Sequence, residues 1–406
     1  MPRFAAFRAL RYAPDTDLTA VTAPPYDVLS DADVARYAAR SEHSIARVDN
    51  PQAMWPDAGD EAYAMAAAAL GQWVEDGVLV LDDEESLTIY RLTFVDDRGR
   101  DRELTLVFGA VEVVDEGAGG VLAHERTTPK ASTDRLDLTR ASGANLSPIW
   151  GLSLGSGLTE LLADSGEPVG SAKEDGIEHC LERVTDPARI AAICACVESA
   201  EVLIADGHHR YAVARTFRDE VRAATGRADT GAELTLIAVA ELNPEQLSIE
   251  AIHRLYSGTS HDDVRDRLAD WFEISAAPMP SRAMLADLEH EGRLALIGPS
   301  GDAEWLTPKE GVFDDVRSLD GAWLEAALAG SDVEVSYQHG VDEVLEAVVT
   351  GRAHSAVLIR PTSIEEIERT GHERLLMPPK STFFTPKLRT GLVLRPLDLP
   401  PLDDVS

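Results

Sequence analysis

Glu201–Gly226 reads EVLIADGHHRYAVARTFRDEVRAATG, and this stretch decides the fold class. The apolar run Val202–Ala205 is short and rich in β-formers, which predicts a buried strand. From Tyr211 onward apolar residues recur at helical spacing, and Gly226 closes the run as a C-terminal glycine should. Between the two lies Asp206-Gly207-His208-His209-Arg210. A strand that turns into a helix through a glycine exposes unpaired backbone N–H groups and the positive end of the helix dipole, an arrangement suited to an anion. Asp206 is placed to act as N-cap, and Arg210 offers a planar fork of donors to phosphate. A capped helix with solvated histidines is the plainer alternative, but two histidines and an arginine on one turn exceed what capping needs.

Working outward, strand and helix signals alternate along the chain, which predicts an α/β (mixed α+β) architecture. Leu87–Val95 and Arg102–Val114 flank Asp96-Asp97-Arg98-Gly99 and predict a hairpin. Asp60–Gly77 predicts an alanine-rich helix, and residues 186–200 another. A strand is expected at 233–242. Residues 115–157 read as a long polar loop with one short helix, and loops of that length usually carry function. Beyond 260 the texture changes to shorter alternations, with helices near 262–272, 281–291 and 341–350 and strands near 293–298, 333–337 and 355–360. The organisation expected is a binding or catalytic lobe at 1–260, a smaller α/β lobe at 261–373, and a basic segment at 374–406 that returns to the site.

At 406 residues, 44% hydrophobic, the chain can bury a large core. It contains no apolar run of roughly 20 residues that would span a bilayer, and its first residues show no signal-peptide pattern. With only Cys180, Cys194 and Cys196 present, no disulfide framework is expected, so the reading is a cytoplasmic protein without membrane contact. A net charge of −34 opposes nucleic acid, because such a surface repels a phosphate backbone at long range. The five lysines, Lys130, Lys173, Lys309, Lys380 and Lys387, are unevenly placed. Two of them fall in Arg374–Leu397, which also carries Arg374, Arg389 and Arg395 and lacks any acidic residue. A pocket wall that supplies cations to a small anion accounts for that anomaly. Lys130 belongs to a further cluster, His124-Glu125-Arg126-Thr127-Thr128-Pro129-Lys130, followed by Arg135 and Arg140. Zinc-protease spacing would require histidine where Thr128 stands, so no metal ligand set is assigned there. There is neither a P-loop nor a kinase signature set, so any phosphate chemistry must use another architecture.

The motifs Ala23–Val28 (APPYDV), His124–Lys130 (HERTTPK), Ala144–Ile149 (ANLSPI), Ala205–Tyr211 (ADGHHRY) and Pro379–Lys387 (PKSTFFTPK) occur in that order. With them the chain resembles the prokaryotic family called domain of unknown function 1015, along nearly its whole length. Residues 206–210 are also similar to the nucleotide-phosphate motif of the ParB/sulfiredoxin superfamily, which includes a free serine kinase besides sulfiredoxins and partition proteins. This second resemblance implies a ParB/sulfiredoxin-like core elaborated by the C-terminal lobe. It implies that Gly207, His208, His209 and Arg210 cradle the phosphates of ATP or ADP, with Mg2+, and that Asp206 stands near the reacting group. No cysteine lies beside the motif as a sulfiredoxin would require.

The function expected on these grounds is a nucleotide-dependent phosphotransferase acting on a small hydroxyl metabolite, for instance an amino acid such as serine. Asp206, Glu125 or Asp27 would accept the hydroxyl proton, Lys130, Arg126 and Arg210 would neutralise phosphoryl charge, and His208, His209, His124, Lys380 and Lys387 would hold phosphate oxygens. Alternatives from other classes are a regulatory protein that binds a nucleotide or metabolite without turnover, and a metal-dependent hydrolase using His124, Glu125, His208 and His209. The partner is a small anionic ligand in the first two readings, and the sequence is silent on oligomeric state.

Overall fold

The computed structural model describes residues 1–123, 130–375, 377 and 380–398, and it is a mixed α+β protein built on two large sheets. The first sheet has nine strands. Its path runs Val121–Ala123, Val202–Asp206, Ile149–Ser153, Leu234–Glu241, Asp101–Glu112, Leu87–Val95, Ile177–Val184, Glu167–Glu174, with Phe4–Ala5 pairing Asp101–Glu112 off the path. Two of the pairings are parallel, Val202–Asp206 with Val121–Ala123 and Leu234–Glu241 with Ile149–Ser153. The hairpin expected across Asp96–Gly99 is present, with Thr88 opposite Phe108 and Val95 opposite Asp101.

Side chains alternate between the two faces of a strand, and both faces are covered here. Leu104, Leu106 and Phe108 point to one side together with Leu236 and Ala238, in one core with Tyr63, Leu70 and Trp73 of the helix Glu61–Glu75. Val107 and Val111 point to the other with Ile237 and Val239, against Ile193 and Val197 of the helix Pro187–Glu198. Burial on both faces is why the central strands read as continuous apolar runs.

Residues 115–157 differ from the loop expected. They contain a 13-residue helix, Lys130–Ser142, and the strand Ile149–Ser153 in the middle of the first sheet. All five residues of that strand are buried, but the run is short and follows Pro148, so its pattern resembles a loop. Gly151 lets it fit: a Cβ there would lie 2.7 Å from side-chain carbons of both Ile237 and Val202, its neighbours on either side.

The second sheet is antiparallel throughout, in the order Phe272–Ala276, Ala303–Pro308, Leu294–Ile297, Ser355–Leu358, His253–Ser257, Glu334–Gln338. The strand His253–Ser257, its earliest in the sequence, precedes residue 260. Its two faces are also both apolar, with Leu294 and Leu296 on one side and Ala295 and Ile297 on the other.

After the second sheet the chain returns to the first. Phe383–Thr385 pairs Ser248–Glu250, Thr390 bridges Ala23, Leu394 bridges Leu10, and Arg395–Pro396 pairs Ala144–Asn145. Phe384, Leu388, Leu392 and Leu394 enter the first core, with the Phe384 ring 5.5 Å from that of Trp150. This anchoring delivers Lys387 to the end of the strand Val202–Asp206. No helix among the described residues is long and apolar enough to cross a membrane.

Candidate functional site

The strand Val202–Asp206 ends in Gly207, which takes a left-handed conformation at φ +90°, and an 18-residue helix begins at His208. The N-cap is Gly207, not Asp206, and it provides no side-chain cap. Asp206 is instead the last strand residue, and its carboxylate accepts from Arg210 Nη2 at 2.8 Å and from Lys387 Nζ at 3.3 Å. Helical spacing brings residue 210 back over 206, while Lys387 arrives from 181 residues away. Burial alone would raise the Asp206 carboxyl, but Lys387 and Arg210 outweigh it and hold the group well below the usual carboxylate range.

Arg210 also donates through Nη1 to the Pro148 carbonyl, and its Nε is buried without a hydrogen-bond partner among the described residues. A buried donor left unmade costs about 1–3 kcal/mol, so this atom favours an acceptor brought from outside. Burial opposes the charge on Arg210, and Asp206, Asp27, Tyr26 and Asp49 together more than restore it.

Behind Arg210 sits a second charged layer. Asp49, 2% exposed, pairs with Arg135 at 3.0 Å and accepts from Ser147 Oγ at 3.2 Å, and Ser147 meets Thr390 Oγ1 at 2.8 Å. The Arg135 guanidinium lies 4.0 Å from the centre of the Tyr26 ring, whose hydroxyl burial pushes up to about 12. Tyr26, Asp49, Arg135, Ser147 and Arg210 border a cavity of about 50 Å³. That is room for a water or two, so a larger ligand would sit at its mouth.

Lys387 stands 4.4 Å from the centre of the Phe383 ring, and Phe383 stacks at 4.6 Å on His339, which follows the last strand of the second sheet. The two sheets therefore meet beside Asp206.

The remaining sequence candidates fall as follows. His208 and His209 are half-buried on the first turn of the helix. Asp27 is exposed in the short 3-10 turn Tyr26–Val28, within electrostatic reach of Arg210. Lys380 is exposed, and its carbonyl accepts from Arg254 of the second sheet. His124, Glu125 and Arg126 lie outside the described residues, as does the side chain of Lys130, which opens the helix Lys130–Ser142.

The other basic residues of the two clusters do not share the cleft expected of them. Arg140 pairs with Glu220, Arg374 with Glu201 and Arg389 with Glu174, while Arg395 donates to the carbonyls of Leu234 and Gly231. Arg140, Arg374 and Arg389 each pair with a carboxylate, which an acidic chain has to spare, and Arg395 is held by backbone carbonyls. Sequence reasoning missed Asp49, Tyr26, Ser147 and Thr390. Tyr26 and Ser147 stand inside quoted motifs, whereas nothing around Asp49 signals its burial.

A family described as protein of unknown function (DUF1015) matches residues 4–322. The chain belongs to that family. No curated protein matches it. Solved structures similar to this member of the family include a free serine kinase in complex with AMP, at 14% identity, covering 69% of this chain and 87% of that one with a TM-score of 0.37. A conserved hypothetical protein from Pyrococcus furiosus shares 16% identity over 69% of this chain and 90% of its own, with a TM-score of 0.36. A C-terminally truncated SbnI from Staphylococcus aureus shares 14% over 74% and 90%, with a TM-score of 0.37.

Proposed function

We propose that the Asp206–Arg210 junction binds the phosphates of a nucleotide and that the protein uses them for transfer to a small hydroxyl metabolite. The observation that carries this reading is the buried Nε of Arg210, without a hydrogen-bond partner among the described residues, at a helix N-terminus whose N-cap is a glycine, next to Lys387. Backbone N–H groups, a guanidinium and an ammonium together form a site for phosphoryl oxygens. Catalysis would rest on positioning and charge neutralisation, which suffices for phosphoryl transfer.

The roles of the carboxylates change in the light of the geometry. Asp206 is engaged by two cations and is a poor proton acceptor, so it serves as the internal counter-ion that keeps Arg210 and Lys387 in place. Asp27, exposed beside Tyr26, is the carboxylate we assign to the acceptor hydroxyl. Among the described residues no group of three or more His, Cys, Asp or Glu is placed to hold a metal ion, and Asp206 is already engaged by Arg210 and Lys387. No step is assigned to magnesium.

Calorimetry with ATP and ADP, followed by product analysis against a panel of hydroxyl metabolites, tests the reading. Micromolar binding that Arg210→Gln weakens at least tenfold is expected, with turnover lost in Asp27→Asn while binding persists. A chain that ignores both nucleotides overturns the proposal, and binding without product for any acceptor reduces it to a regulatory nucleotide-binding protein.

A further inference from the structure

A cavity of about 430 Å³ opens between the two sheets and shares no bordering residue with the Asp206 group. Its size is that of a small-molecule site. In a chain of net charge −34, five arginines border it: Arg98, Arg100 and Arg102 from the first-sheet hairpin, and Arg254 and Arg360 from the second sheet and the loop after it.

Asp97, Glu289, Asp320 and Glu366 border the cavity too, so the guanidiniums are held in place by carboxylates as well as by backbone carbonyls. The single buried side chain of Asp96 accepts from Arg100 at 2.8 Å and Arg102 at 3.0 Å, and Arg102 also donates to the Glu245 carbonyl at 2.6 Å. Asp97 borders the cavity at the same tip, so the carboxylates of Asp96 and Asp97 face Arg100 and Arg102 together. Across the cavity Arg254, 3% exposed, donates to the Lys380 carbonyl at 3.2 Å and lies 4.8 Å from the centre of the Tyr337 ring. Its close approach requires Gly321, where a Cβ would fall 2.7 Å from Nη2. Arg360 is clamped by Asp320, Glu366 is engaged by Arg317, and Arg98 reaches Glu289 across the opening. The first turns of two helices, Asp320–Ala327 and Ile364–Glu373, border the same space.

We infer that this inter-sheet cavity is a second binding site, for a multiply charged small anion bearing phosphate or several carboxylates. Arginines fixed by carboxylates and by backbone carbonyls lose little freedom when an anion arrives. A ligand there would touch both sheets at once and so join them, independently of the phosphate site at Asp206.

Calorimetry on the full chain with pyrophosphate and with citrate as probes tests the inference, the two probes separating phosphate from carboxylate recognition. Arg98 and Arg100 have side chains 36% and 51% exposed, so the double variant Arg98→Ala/Arg100→Ala should fold, which its thermal transition checks. At least tenfold weaker binding of one probe by that variant, with the same probe still bound by Arg210→Gln, is expected. Wild-type chain that binds neither probe, or binding that the double variant leaves unchanged, overturns the inference. Loss in Arg210→Gln alone assigns the anion to the Asp206 junction and also overturns it, while leaving the proposed function standing.

Discussion

Replacing Asp206 with asparagine keeps the shape of the site and removes the charge that two cations share. Arg210 and Lys387 have side chains only 9% and 15% exposed, so neither is well solvated once its counter-ion is gone. Stranding one partner of a buried pair costs about 3–5 kcal/mol. Lys387 keeps the face of Phe383 and Arg210 keeps the Pro148 carbonyl, which places the loss at the lower end, about 3 kcal/mol at pH 7. Urea denaturation of the two proteins side by side measures it. The pH dependence has a defined sign. A carboxyl held below its unfolded value, about 3.9, contributes its full stability above that pH and loses it as pH falls through the lower folded value. The gap between wild type and Asp206→Asn should thus stay constant from pH 5 to 8 and close only well below pH 4. Added phosphate supplies the missing negative charge, so it should raise the midpoint of the variant more than that of the wild type. An Asp206→Asn chain as stable as wild type at pH 7, or a gap already closed at pH 5, would refute the account of Asp206 as a counter-ion.

Two more outcomes follow from the buried groups. His179 and His253 are each pushed down to about 3, by burial first and then by Arg389 for His179 and Arg254 for His253. The unfolded chain therefore binds protons that the folded one refuses between pH 6.5 and 3, and each histidine should remove about 1.4 kcal/mol of stability per unit of falling pH in that window. Equilibrium unfolding of His179→Gln across about pH 5.5 to 4 should show a slope shallower by that amount, and an unchanged slope counts against the burial reading. Gly207→Ala meets both a left-handed backbone at φ +90° and the Arg210 Nε, 3.0 Å from the new Cβ. A loss of about 1–3 kcal/mol is expected, together with weaker phosphate binding as the guanidinium is displaced; a variant of wild-type stability and affinity would show that neither constraint matters.

Half of the second sheet was legible from short, punctuated runs: strands expected near 293–298, 333–337 and 355–360 occupy Leu294–Ile297, Glu334–Gln338 and Ser355–Leu358. Helices expected near 281–291 and 341–350 occupy Arg282–Glu291 and Val341–Val349, whereas the strands Phe272–Ala276, Ala303–Pro308 and His253–Ser257 were not expected. The strand Ile149–Ser153 was not legible either, since five residues after a proline, with a glycine in the middle and a serine at the end, carry too little periodicity to separate a buried strand from a loop. The basic C-terminal segment shows a different limit. Its charge anomaly is visible in the sequence, but whether a cation serves a ligand or a neighbouring carboxylate depends on what lies within a few ångströms. Lys387 turned out to face Asp206 and Arg389 to face Glu174.

Local chemistry determined the junction itself: an apolar run, a glycine able to adopt positive φ, and an amphipathic helix dictate strand, turn and exposed N–H groups from residues 202–226 alone. Tertiary structure decided everything that crosses long chain separations. It placed Lys387 on Asp206, Asp49 with Arg135 behind Arg210, and five arginines around one inter-sheet cavity. The reason is that backbone preferences act over a few residues, whereas charge pairing and burial act through space and are set only when the sheets close on one another.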